Sequence, residues 1–168
     1  MRSLLTSAIC ALLKDELRKC VVQSKKIECT LVTISSDDNL KLVGRYYDKK
    51  SDTTIILIHG YQSNSFNNFS SLMQYFLSLG FNVLMIDQRA HGLSEGHFTT
   101  AGGKEQYDLI DWIAWLDENS SCKNIFIYGI SMGATTTGLA SKLLRAIVAA
   151  SGGVSIIALF LTMLCCIV

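Results

Sequence analysis

"KNIFIYGISMGATTTGLASKLLR", residues 123–145, decides the fold. Its first part runs Ile125-Phe126-Ile127-Tyr128 without a charge, as expected of a strand buried on both faces of a parallel sheet. Residues 132–145 follow with helical patterning. Between the two stands Gly129-Ile130-Ser131-Met132-Gly133, which matches G-x-S-x-G. Glycines at 129 and 133 allow a tight turn, and a helix beginning there aims its first N–H groups at a developing oxyanion. The expectation is a strand–turn–helix with Ser131 as an exposed nucleophile.

Working outward from this unit, the chain alternates strands with helices. "TTIILIHG", residues 53–60, is a continuous apolar run that ends in a glycine. "SFNNFSSLMQYFLSLG", residues 65–80, places apolar residues at 66, 69, 72, 73, 76 and 79, which predicts a helix capped by Ser65 and stopped by Gly80. "FNVLMID", residues 81–87, predicts the next buried strand. A glycine-rich loop follows, and then a helix over 104–120 with Tyr107, Ile110, Ile113, Ala114 and Leu116 near one side. "AIVAAS", residues 146–151, reads as a fourth parallel strand. Upstream, residues 27–47 read as a hairpin around Ser36-Asp37-Asp38-Asn39. The order hairpin–β-α-β-α-β-α-β implies an α/β fold: a mostly parallel sheet with helices on both faces. The loops after Ile58, Ile86 and Ile130 then fall at carboxyl ends of strands, where such sheets bind ligands.

Two of those loops carry chemistry. "LIHGYQSNS", residues 57–65, follows its strand with His59-Gly60 and reads as the source of a second oxyanion donor, the Tyr61 amide, paired with the Met132 amide. His59 precedes the serine and reads as a structural residue bonded into its loop. In "DQRAHGLSEGH", residues 87–97, Asp87 is placed to accept from loop N–H groups, and Arg89 and His91 to fasten the turn.

Together "LIHGYQSNS", "MIDQRAHGLSEGHF", "YDLIDWIAWL" and "YGISMGATT" resemble the α/β-hydrolase superfamily, and within it the bacterial serine-aminopeptidase-like or lysophospholipase-like branch. The resemblance covers residues 28–151, and three motifs appear in the right order on the right elements. It implies an eight-stranded sheet, a Ser-Asp-His triad, hydrolysis of ester, amide or related acyl bonds, and no cofactor or metal. It carries Ser131 over as nucleophile, and Tyr61 and Met132 as oxyanion donors. The resemblance puts the acid and the histidine of the triad after the serine, yet the residues following Ser131 contain no His, Asp or Glu. The expectation is a C-terminally shortened serine hydrolase with weak or no activity. The rival reading is a non-catalytic, membrane-tethered or binding protein that keeps the hydrolase fold.

The ends and the bulk composition set the remaining expectations. Residues 1–26 read as an N-terminal helical segment, 27–151 as a partial hydrolase domain and 152–168 as an apolar tail. Residues 146–168 contain no charge and are long enough to span a bilayer. Three readings of that stretch stand: a frameshifted or prematurely ended sequence, a membrane anchor, or a buried helix. A net charge of +1 argues against nucleic acid as partner. The six cysteines show no C-x-x-C spacing, which fits thiols in a reducing, cytoplasmic compartment, with membrane association as the alternative.

Overall fold

The computed structural model describes residue 19, residues 26–151 and residues 155–158. The expected N-terminal helix lies outside the described residues, as does most of the apolar tail. Six strands form one sheet: β1 (Thr30–Ser35), β2 (Lys41–Tyr47), β3 (Thr53–Ile58), β4 (Asn82–Asp87), β5 (Asn124–Gly129) and β6 (Ser155–Ala158). Their order across the sheet is β1-β2-β4-β3-β5-β6. β1 and β2 form the antiparallel hairpin, and β2 pairs antiparallel with β4. The other neighbours are parallel. β3 and β4 are buried at every position. Their unbroken apolar runs reflect central strands covered on both faces.

Three helices among the described residues cover the sheet: α1 (Ser65–Ser78), α2 (Glu105–Asn119) and α3 (Met132–Ser151). Alternate strand residues feed two cores. Ile56, Ile58, Leu84, Ile86 and Ile127 pack with Leu109, Trp112 and Leu116 of α2. Ile55, Leu57, Val83 and Met85 pack with Phe69, Met73 and Leu77 of α1. The period of two along each strand thus sorts its side chains between the two helical layers.

Helix boundaries depart from the sequence expectation in instructive ways. Asn64, not Ser65, caps α1: its side chain accepts from the Asn67 amide at 3.0 Å. Ser65 is drawn inward instead, because its amide donates to the buried Asp87 carboxylate. At the other end Gly80 has φ 83°. Gly80 N–H donates to the Leu77 carbonyl and Phe81 N–H to the Phe76 carbonyl, a Schellman closure with the Phe76 and Phe81 rings in contact. In α2 the buried stripe is Glu105, Asp108, Leu109, Trp112, Ile113 and Leu116. Tyr107 and Ala114, expected near the apolar side, are exposed.

The largest correction concerns residues 146–151. They continue α3 rather than forming a strand, and the parallel strand beside β5 is Ser155–Ala158. Alanine-rich "AIVAAS" suits either state, and here it extends a helix already under way. Within that apolar stretch, Ser155–Ala158 is a strand paired with β5. No helix among the described residues is long and apolar enough to cross a membrane.

Candidate active site

Strands β3, β4 and β5 run parallel, so the loops after Ile58, Asp87 and Gly129 meet at one edge of the sheet. Ser131 sits there, exposed, between β5 and α3, with φ 51°. A left-handed backbone at a residue with a side chain is uncommon and is sustained only where the surroundings over-determine it. Here they do. A Cβ on Gly129 would lie 2.3 Å from the Gly133 carbonyl oxygen, and one on Gly133 would lie 2.1 Å from the Ile58 carbonyl oxygen. Only glycine lets the start of α3 press this closely on β3 and β5. Ile130 N–H donates to the Ile58 carbonyl at 3.2 Å, and Ala134 N–H to the Ser131 carbonyl at 2.9 Å.

The loop after β3 lies against the serine: a Cβ on Gly60 would come within 3.3 Å of the Ser131 Cβ. That loop is pinned on both sides of Tyr61. Gly60 N–H donates to Asn68 Oδ1 at 2.9 Å, and Gln62 N–H donates to His91 Nε2 at 3.1 Å. Among the described residues, neither the Tyr61 amide nor the Met132 amide donates to a protein acceptor.

His59 is fully buried and has both ring nitrogens occupied. Its Nδ1 lies 2.7 Å from the Gly60 carbonyl, and its Nε2 accepts from Gln88 N–H at 3.0 Å. Only the neutral ring with its proton on Nδ1 satisfies both contacts. Burial also lowers its affinity for a second proton, against the opposing pull of the Gly60 carbonyl and Asp87. Gln88, which the sequence did not single out, ties three elements together. Its Nε2 donates to the His59 carbonyl at 2.7 Å, and its Oε1 accepts from Thr136 Oγ1 on α3 at 2.8 Å.

Asp87 is 1% exposed and accepts from the Ser65 amide, Arg45 Nη1 and the Leu93 amide. Burial alone would raise its carboxyl; the Ser65 and Arg45 donors outweigh that and hold it below the ordinary range. Arg89 turns away from the serine toward α2. Its Nε and Nη2 grip Asp108 at 2.7 and 2.6 Å, and Nη1 reaches Asp38 at 2.9 Å. The loop leading into α2 is held by Glu105, which accepts from the Thr100 and Gly102 amides and from the Thr99 and Thr100 hydroxyls. Thr99 Oγ1 in turn touches Met132 Sδ at 3.1 Å, beside the serine.

Burial alone would raise the Glu105 carboxyl, but its Thr100 and Thr99 donors hold it down at about 2, below its ordinary 4.5. The folded value lies below the unfolded one, so this carboxylate stabilises the fold above about pH 4.5 and loses that contribution as pH falls toward 2. Glu105→Gln is expected to cost about 2 kcal/mol at pH 7. Urea denaturation at a series of pH values should show the gap to the unmutated chain closing below pH 4.5; a gap independent of pH would contradict the assignment.

Arg45 and Asp108 became visible as partners only in three dimensions, as did Asn68 and Thr136. Each lies at least eight residues from the group it holds, and nothing in its local pattern marks it. No cluster of His, Cys, Asp and Glu among the described residues is arranged to hold a metal ion. Two clefts, of about 380 and 360 Å³, lie around Tyr46 and Asp48, toward the amino end of β4 and away from Ser131.

The sequence pattern of the family described as serine aminopeptidase, S33, matches residues 49–156, which run from β3 into the start of β6 and include every loop of this edge. The chain belongs to that family. Among relatives of this serine aminopeptidase family member, YqkD of Bacillus subtilis (strain 168) is 36% identical over 115 residues, covering 67% of this chain and 37% of YqkD. The Pyrococcus furiosus esterase Pf2001 is similar in structure, with a TM-score of 0.63 and 40% identity over 66% of this chain and 45% of the esterase. An esterase from Exiguobacterium antarcticum, EaEST, shares the fold with a TM-score of 0.59 at 20% identity, covering 76% of this chain and 42% of that one. The chain therefore has part of the α/β-hydrolase fold and spans less than half the length of each of these three proteins.

Proposed function

We propose that this chain carries the nucleophile side of a serine hydrolase that acts on small acyl substrates, esters first and amides second. The observation that carries the reading is Ser131 itself: exposed, at φ 51°, and flanked by two glycines with no room for a Cβ. In this reading Ser131 Oγ attacks the acyl carbonyl, and the Tyr61 and Met132 amides receive the oxyanion. The likeness to Pf2001, described as an esterase, supports the choice of esters.

The reading also limits the rate. A serine hydroxyl needs a base to take its proton. The three histidines are His59, His91 and His97; the first two have their ring nitrogens committed to backbone groups, and His97 is exposed and makes no hydrogen bond to Ser131. No His, Asp or Glu follows Ser131 in the sequence. The 168-residue chain alone is therefore expected to hydrolyse an activated ester slowly, about 10³-fold over water, from binding and the oxyanion hole. Hydrolysis of p-nitrophenyl acetate by the unmutated chain and by Ser131→Ala tests this. Loss of the excess rate in the variant is the expected result, and equal rates in the two proteins would remove the proposal.

A further inference from the structure

We infer that His91 is a positioning residue for the oxyanion loop, holding the Tyr61 amide in place through the Gln62 peptide. The inference rests on the reading of Tyr61 as an oxyanion donor. The contacts themselves are independent of it.

Three observations converge on His91. Its Nε2 lies 3.1 Å from Gln62 N–H, and its Nδ1 lies 2.9 Å from the Arg89 carbonyl. A carbonyl offers no proton, so Nδ1 carries the hydrogen and Nε2 presents a lone pair. That lone pair accepts from the residue directly after Tyr61. Gln62 has φ 52°, a conformation that relaxes readily unless something holds it. The His91 ring also stands edge-on between His59 and Tyr61, with centroid separations of 5.1 and 5.9 Å. Ring and lone pair together fix both the side chain of Tyr61 and the peptide that follows it.

On the other flank Asn68 Oδ1 holds Gly60 N–H. The Tyr61 amide thus sits between two anchored peptides and is itself left without a protein acceptor among the described residues. An oxyanion donor has to be aimed before the reaction begins, because reorganisation during the reaction would cost part of its benefit. His91 comes from the loop after β4, so it couples the two loops that flank the serine. It touches neither substrate nor Ser131 in this role.

The geometry separates the lone pair from the ring. His91→Phe keeps a ring between His59 and Tyr61 and removes the acceptor. His91→Gln places an amide oxygen at a reach similar to Nε2 and restores it. In His91→Phe, hydrogen exchange of the Gln62 amide, read by NMR on the 168-residue chain, is expected to quicken about tenfold or more. The Ser131-dependent acylation rate with p-nitrophenyl acetate is expected to fall about tenfold at unchanged KM, less than the 10²–10³ typical when a donor is lost outright. His91→Gln is expected to recover part of both. Unchanged exchange in His91→Phe overturns the inference, as does faster exchange with an unchanged acylation rate. If Ser131→Ala shows no loss of rate, the hydrolase reading fails by itself. The exchange result then still decides the clamp: lost protection supports it, and retained protection overturns it.

Discussion

Gly133→Ala is expected to destabilise the chain by about 3 kcal/mol or more and to abolish any Ser131-dependent rate. The added Cβ would meet the Ile58 carbonyl oxygen at 2.1 Å and the His59 carbonyl oxygen at 2.8 Å. Both are backbone atoms at the end of a central strand that is buried at every position, so no side chain can swing aside. Relief requires α3 to lift off β3. That motion would break the Ile130 N–H bond to the Ile58 carbonyl and carry Ser131 away from Gly60. Gly60→Ala provides the contrast at the same turn, since its Cβ would stop at 3.3 Å from the Ser131 Cβ, a contact that a few tenths of an ångström relieves. Urea melts of the two variants should rank Gly133→Ala far below Gly60→Ala. Equal midpoints would show that the start of α3 is not pressed on β3 as described.

That turn is also where sequence and structure agree most closely, and the reason is local. A strand, a glycine-flanked serine and a helix occupy adjacent residues, so spacing alone reports their geometry. The central strands were legible for a similar reason: burial on both faces leaves an unbroken apolar run in "TTIILI" and "NVLMID". Elements whose state depends on distant contacts were not. Residues 146–151 continue α3, and only a partner already in place at Ser155–Ala158 shows where the next strand lies. Ser65 looked like a helix cap because serine caps helices, but the buried Asp87 claims its amide from 22 residues away and leaves the cap to Asn64. The same holds at the candidate site. Tyr61, Met132 and His59 stand beside recognisable turns, whereas Gln88, Asn68 and Thr136 are ordinary polar residues until the fold brings them to those turns.

Arg89 shows how far the site depends on such distant pairing, and its removal is expected to have the other large effect. Arg89 is 3% exposed, and its guanidinium forks onto the nearly buried Asp108 with two bonds and reaches Asp38 as well. Arg89→Met keeps most of the volume and leaves Asp108 buried without its counter-charge. Breaking a buried pair from one side costs about 3–5 kcal/mol, because the remaining charge has lost its partner. Asp38 suffers less, since it keeps Lys104 at 2.7 Å and is partly open to solvent. The cost should also depend on pH. Burial already raises the Asp108 carboxyl, with Arg89 pulling against it. Without Arg89 the folded value rises further above the unfolded one, so protonating Asp108 favours the folded variant. The deficit of Arg89→Met should therefore shrink as pH falls through the acid range and be fullest near neutrality. Removing the stranded charge by adding Asp108→Leu should recover part of the loss at pH 7. A thermal and urea comparison of the single and double variants at pH 7 and pH 5 decides it. If the double variant is less stable than Arg89→Met, and the deficit of the single variant does not change with pH, then Arg89 contributes through packing of its stem rather than through its charge.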